Sequence, residues 1–121
     1  MKIHESAENY LETILRLQMR NGQVRAIDIA NELEFSKPSV SVAMKNLREN
    51  GYIETSSAGH IVLLDKGLVI AQSIMERHTI LTRWLVSMGV DPEVASEDAC
   101  KMEHVMSAES IAAIKKSLDE N

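Results

Sequence analysis

The sequence has one cysteine, two prolines, five glycines and only 3% aromatic residues in 121 positions. A single thiol excludes an intramolecular disulfide, so Cys100 is a core thiol, a reactive thiol or a metal ligand. So little glycine and proline does not suit a loop-rich β protein. With 45% hydrophobic residues and few aromatic ones, the core must be built from Leu, Ile, Val, Ala and Met, which favours packed helices. No apolar stretch approaches the roughly 20 residues needed to span a bilayer. The opening Met-Lys-Ile-His-Glu has no apolar run of the signal-peptide kind. A cytoplasmic chain with no membrane partner is expected. No His-Glu-x-x-His or comparable catalytic motif occurs, so the chain reads as a non-enzyme; a zinc hydrolase would need an open coordination position and a positioned base.

Acid is missing from one place in particular. The net charge is −5, yet residues 35–48 contain no Asp or Glu while holding Lys37, Lys45 and Arg48. Residues 1–64 carry seven Lys/Arg against eight Asp/Glu, and residues 65–121 carry six against ten. An acidic C-terminal half beside a locally basic helix suits a protein that takes up divalent cations and also touches phosphate.

Apolar spacing predicts a helix from about Ser6 to Arg20, with Ser6 as its cap and Tyr10, Leu11, Ile14, Leu15 and Leu17 on its inner stripe. Asn21-Gly22 stops it. A short helix follows from about Ala26 to Glu34, then a tight turn through Phe35. Ser36 is an N-cap and Pro38 falls in the first turn of the next helix, where its missing N–H costs nothing. That helix turns Val40, Ala43, Met44 and Leu47 inward and stops at Asn50-Gly51. Two helices joined by about three residues match a helix-turn-helix. Alternation in Tyr52–Thr55 and His60–Leu64 around Ser56-Ser57-Ala58-Gly59 predicts a β-hairpin, placed where a wing belongs. Beyond Gly67 the pattern predicts a long helix to about Met88, a second opened by Asp91-Pro92 and running to about Met106, and a last one capped by Ser107. The fold class expected is mainly α: a winged helix-turn-helix over residues 1–64 and a helical metal-binding and dimerisation domain over 65–121. Trp84, Leu85, Val86, Met88 and Ile111 form an apolar surplus that suits a dimer interface.

In a helix-turn-helix the second helix presents its N-terminal residues to base edges in the major groove. Here these are Ser36, Lys37, Pro38, Ser39, Ser41, Val42 and Lys45. The hydroxyls suit bases or phosphates, and Pro38 or Val42 can pack on a thymine methyl. Arg25, Lys37, Lys45 and Arg48 are candidates for phosphate. The absence of Arg or Gln at the base-reading positions predicts modest readout per contact.

Cys100, Glu103 and His104 fall on one face of a predicted helix, their Cβ atoms roughly 5–6 Å apart. A thiolate, a carboxylate and an imidazole that converge are ligands for a borderline divalent metal. Three ligands on one helix do not complete a coordination sphere; Glu12 and Asn9 on the first helix and His78 on the long helix are the residues available to do so. Without metal, the same face would be structural or redox-sensitive in a winged-helix regulator that answers to another signal.

The run Ala99-Cys100-Lys101-Met102-Glu103-His104-Val105-Met106-Ser107 resembles the metal-binding helix of the diphtheria toxin repressor family, which includes the iron-dependent regulators and the manganese transport regulator. Ser6–Ile14, Ser36–Ser41 and Arg77-His78 carry the same likeness, which covers nearly the whole chain. The resemblance implies a metal-activated transcriptional repressor: a homodimer whose bound metal sets the spacing of two recognition helices to a palindromic operator. For the metal it implies Asn9, Cys100, Glu103 and His104 in the toxin-repressor type of site, with Glu12 and His78 added in the manganese type. The ancillary site of the toxin-repressor branch keeps only His78, because Thr82 and Ser96 stand where Glu and His belong. The sequence holds no counterpart of the SH3-like domain of the longer branch, or of the final helix of the manganese branch. A thiolate at position 100 favours Fe, Co, Ni or Zn over Mn, so Fe²⁺ is the expected signal, with Mn²⁺, Co²⁺, Ni²⁺ and Zn²⁺ as other ions the donors accept. No small-molecule substrate beyond the ion is expected. Metal affinity should fall with pH, because thiol and imidazole must lose protons to bind.

Overall fold

Six helices and one two-stranded sheet order the described residues, 5–120, of the computed structural model. They run α1 (Glu5–Asn21), α2 (Ala26–Leu33), α3 (Lys37–Glu49), β1 (Ile53–Thr55), β2 (Ile61–Leu63), α4 (Asp65–Ser87), α5 (Pro92–Met102) and α6 (Ala108–Asp119). The chain divides into two units inside α4, between Gln72 and Ser73. The first turns of α4 therefore belong to the N-terminal unit, where Ala71 is fully buried in the core.

In the N-terminal unit, α1 buries Leu11, Ile14 and Leu17 at helical spacing. Its expected cap is not used: α1 begins at Glu5, which leaves Ser6 inside the helix. Gly22, at φ +86°, closes α1 with its N–H on the Gln18 carbonyl at 2.8 Å. At the start of α2, the Asp28 carboxylate accepts the Arg25 backbone N–H at 2.9 Å. α2 ends on Glu34, which is left-handed at φ 57° and ψ 39°. That conformation costs a side-chain-bearing residue about 1–2 kcal/mol, and it redirects the chain into α3 within three residues. Ser36 caps α3, and Val40, Met44 and Leu47 face the core as their spacing requires. The hairpin pairs Ile53 with Leu63, Glu54 with Val62 and Thr55 with Ile61. Ile53 and Ile61 point inward while Glu54 and Val62 face out. The wing is anchored twice: the Ile61 N–H donates to the Val24 carbonyl at 2.7 Å, and the Arg48 guanidinium donates to Thr55 Oγ1 at 3.3 Å.

Tyr52 joins this wing to α4. Its N–H donates to Leu47 O, its carbonyl accepts the Leu64 N–H at 3.0 Å, and the Lys66 ammonium sits 4.3 Å above its ring. Gly67 passes directly beside the Tyr52 carbonyl, leaving no space for a β-carbon.

The C-terminal unit packs Ile80, Leu81, Ala99 and Ile111, with Trp84, Met102, Met106, Ile114 and Leu118 around them. Asp91 caps α5 by accepting the Glu93 N–H at 3.1 Å, with Pro92 in the first turn. Ser107 caps α6 by accepting the Ser110 N–H at 3.1 Å. Of the apolar surplus in the sequence, Trp84 and Ile111 are taken up by this core, whereas Val86 and Met88 remain exposed. No helix of the described residues is long and apolar enough to cross a membrane.

Candidate metal centre and DNA-facing helix

The segment that carries Cys100, Glu103 and His104 stops being a regular helix earlier than expected. α5 ends at Met102 instead of near Met106, and Glu103 is its C-cap, with φ −60° and ψ −25°. Its N–H still reaches the Ala99 carbonyl at 2.9 Å, so Glu103 keeps helical spacing to Cys100. The early stop has a tertiary cause. Arg77 on α4 donates from one guanidinium nitrogen to the carbonyls of Glu103 at 3.1 Å and Met106 at 2.9 Å. A helix end leaves carbonyls open, and here a cation fills them, which frees Ser107 to adopt the extended backbone that caps α6.

The Glu103 carboxylate is 1% exposed, and a buried carboxylate needs partners. His78 Nδ1 on α4 lies 3.1 Å from its Oε2, and His104 Nε2 lies 3.4 Å from its Oε1. Cys100 Sγ is 3.7 Å from the same His78 Nδ1. The donor atoms of His78, Cys100 and Glu103 all lie within 4.8 Å of one another, comparable to the span of ligands that share one ion at about 2.0–2.3 Å. One sulfur, one imidazole nitrogen and one carboxylate oxygen suit a borderline transition ion better than a hard one. The donor set thus fits a divalent transition metal.

His78 is held from its other side as well: Ser96 Oγ on α5 lies 3.3 Å from His78 Nε2. Thr82 and Ser96, where the family resemblance implies a depleted ancillary site, supply no carboxylate or imidazole. Thr82 Oγ1 is buried without a hydrogen-bond partner. Arg77 and Ser96 are the residues at this centre that sequence reasoning overlooked. Arg77 had a signal in standing next to His78; the only sign at Ser96 was its place where an ancillary ligand belongs.

Glu12 and Asn9 belong to the N-terminal unit. Glu12 is 4% exposed, and both of its bonds from Arg16, at 3.2 and 2.8 Å, end on Oε2. Asn9 is half-buried, and its main-chain carbonyl accepts the Thr13 hydroxyl at 2.8 Å.

On the outer side of α3, Ser36, Lys37, Pro38, Ser39, Ser41, Val42 and Lys45 are all exposed, as is Arg25. Val42 is 61% exposed although apolar, a side chain turned outward with nothing of its own unit over it. Ser36 and Ser39 are bonded to each other: Ser36 Oγ accepts the Ser39 N–H and donates to Ser39 Oγ at 2.8 Å. Arg48, also a phosphate candidate, is engaged with the wing at Thr55.

Comparison with known proteins agrees with both halves of this description. Residues 2–61 match the N-terminal DNA-binding domain of the iron dependent repressors, and residues 64–121 match their metal-binding and dimerisation domain. The transcriptional regulator MntR of Salmonella typhimurium is 36% identical over 109 residues, which is 90% of this chain and 69% of that protein. The iron-dependent repressor IdeR of Mycobacterium tuberculosis is 30% identical over 116 residues, covering 95% of this chain and 50% of IdeR. A manganese-dependent transcriptional repressor solved with manganese superposes with a TM-score of 0.86 at 26% identity, over 93% of this chain and 52% of that one. The chain therefore spans about half the length of IdeR and of the solved repressor. With its winged helix-turn-helix and its Cys/Glu/His cluster, the chain belongs to the iron dependent repressor family of metal-dependent transcriptional regulators.

Proposed function

We propose that this protein is a metal-activated repressor that binds a palindromic operator as a homodimer and adjusts metal homeostasis, with Fe²⁺ as the activating ion. The observation that carries the reading is the buried Glu103 carboxylate, flanked by His78 and Cys100 on one side and His104 on the other. Cys100, Glu103, His104 and His78 hold the ion; Glu12 and Asn9 join the ligand set on the strength of the family resemblance. When bound, the ion supplies the positive charge that a buried carboxylate and a thiolate together demand. His78 and His104 hold Glu103 in place, and Arg77 fixes the end of α5 from which Glu103 and His104 project. Cys100 is the reason for preferring iron: a soft ligand disfavours Mn²⁺ relative to Fe²⁺, Co²⁺, Ni²⁺ and Zn²⁺. Arg25, Ser36, Lys37, Pro38, Ser39, Ser41, Val42 and Lys45 form the DNA face, and a cytoplasmic location follows from work on DNA.

The deciding experiment is operator binding measured across Fe²⁺, Mn²⁺, Co²⁺ and Zn²⁺ and in EDTA, repeated with Cys100→Ser and Glu12→Gln. Affinity that vanishes in EDTA and returns with Fe²⁺ is the expected result. Unchanged affinity in EDTA overturns the metal-activated reading, and tighter activation by Mn²⁺ than by Fe²⁺ or Co²⁺ overturns the choice of iron. The slope of log affinity against log salt counts the phosphate contacts; a slope near zero removes the DNA role.

A further inference from the structure

We propose that Ser96 is a positioning residue that supports either tautomer of His78 at Nε2 and so lets its Nδ1 turn its lone pair to the metal centre. The inference rests on the reading of His78, Cys100 and Glu103 as metal ligands.

The two nitrogens of His78 face different partners. Nδ1 points to Glu103 Oε2 at 3.1 Å and to Cys100 Sγ at 3.7 Å; Nε2 points to Ser96 Oγ at 3.3 Å. A neutral imidazole has one N–H and one lone pair, so each tautomer writes a different pattern onto this geometry. With the proton on Nδ1, the ring donates to the Glu103 carboxylate and Nε2 accepts from the Ser96 hydroxyl. With the proton on Nε2, the ring donates to Ser96 Oγ and the Nδ1 lone pair faces Cys100 and Glu103. Only the second tautomer can ligate an ion placed among those three donors.

A serine hydroxyl can both donate and accept, and it can do either by rotating its proton alone. Ser96 therefore satisfies Nε2 in both tautomers without moving the ring. A carboxylate at that position would only accept and would fix the ligating tautomer permanently; an alanine would satisfy neither. The His78 side chain is 15% exposed, so an Nε2–H left without an acceptor there carries a desolvation penalty. Without Ser96 the Nδ1–H tautomer is still anchored by the charged Glu103 carboxylate, whereas the ligating tautomer has lost its partner. The penalty falls on metal binding. The position at which the sequence suggests a lost ancillary ligand thus serves the ligand of the centre that is present.

The test uses Zn²⁺ as a diamagnetic probe. Competition with a chelator gives its affinity, and long-range ¹H–¹⁵N NMR on His78 reports which ring nitrogen carries the proton. In the wild-type chain the proton should sit on Nδ1 without metal and on Nε2 with Zn²⁺. Ser96→Ala should lower Zn²⁺ affinity roughly 10–100-fold, the range seen when the partner of a ligating imidazole is removed, and the Nε2–H signal of the Zn²⁺-loaded protein should shift with the loss of its hydroxyl acceptor. Ser96→Thr should restore both affinity and tautomer pattern. Wild-type affinity in Ser96→Ala, or a Zn²⁺-loaded wild-type protein with its proton on Nδ1, overturns the inference and leaves the metal centre standing. Wild-type protein that takes up no Zn²⁺, or His78→Ala with unchanged affinity, overturns the centre and this inference with it.

Discussion

A β-carbon on Gly67 would overlap the carbonyl oxygen of Tyr52, so the first turn of α4 and the base of the wing meet backbone to backbone. Gly67 is required for its missing side chain and not for an unusual φ. Gly67→Ala must push the two apart and disturb the Leu64 N–H bond to the same carbonyl. We expect a loss of about 1–3 kcal/mol in urea unfolding; unchanged stability would mean that α4 slides freely at this point.

Glu34 makes the opposite case, a position that wants glycine and lacks it. Glu34→Gly removes the left-handed strain and should stabilise the N-terminal unit by about 1 kcal/mol, read as a rise in Tm of about 3–5 °C. A fall in Tm would show that the Glu34 side chain contributes something worth more than the strain.

Arg77 carries the end of α5. Arg77→Met keeps its apolar stem and leaves the carbonyls of Glu103 and Met106 without their cation. Charge-assisted hydrogen bonds of this kind are worth about 1.5–3 kcal/mol. The variant should therefore unfold at lower denaturant and bind Zn²⁺ more weakly, since Glu103 and His104 lose their common anchor. Lower stability with full Zn²⁺ affinity would confine Arg77 to a packing role.

Cys100→Glu exchanges the soft ligand proposed above for a hard one. Relative affinity should shift toward Mn²⁺ and away from Zn²⁺ by on the order of tenfold or more, equal to about 1.4 kcal/mol. Parallel titrations of the two ions into the wild type and the variant decide it, and an unchanged ratio would remove Cys100 from the ligand set.

Tyr10 gives a pH dependence with a definite sign. Burial raises its phenol above the ordinary value of 10.0, so the folded chain retains a proton that the unfolded chain has already lost. The folded state binds more protons, and stability falls as pH rises beyond the unfolded value, while below it the contribution is fully present. Tyr10→Phe should flatten this alkaline limb in urea titrations at successive pH values; an identical limb in both proteins would place the effect elsewhere.

Most of the fold was legible because its signals are local. Ser36, Asp91 and Ser107 announce caps, Gly22 and Gly51 announce stops, and alternation in Ile53–Thr55 and Ile61–Leu63 announces the wing. Ser6 misled because it stands inside α1, with Glu5 before it already helical, and not at a cap. The end of α5 was not legible: it depends on Arg77, 25 residues before Met102 and on another helix. The trio at 100, 103 and 104 was visible as spacing, and His78 as a histidine in a helical pattern. Arg77 and Ser96 act only through the packing of α4 on α5, which no spacing within either helix reports.

The mutual hydrogen bond of Ser36 and Ser39 has a consequence for what α3 can say to a nucleic acid. One hydroxyl proton of the pair lies in the bond between them, and either serine can supply it by rotating. The tip of the helix therefore offers one hydroxyl donor and the remaining acceptor capacity of two oxygens. If α3 meets a groove edge, that pair can give to the N7 or O6 of guanine or accept from the exocyclic amine of cytosine. The two serines thus speak as one adaptable word and not as two fixed ones.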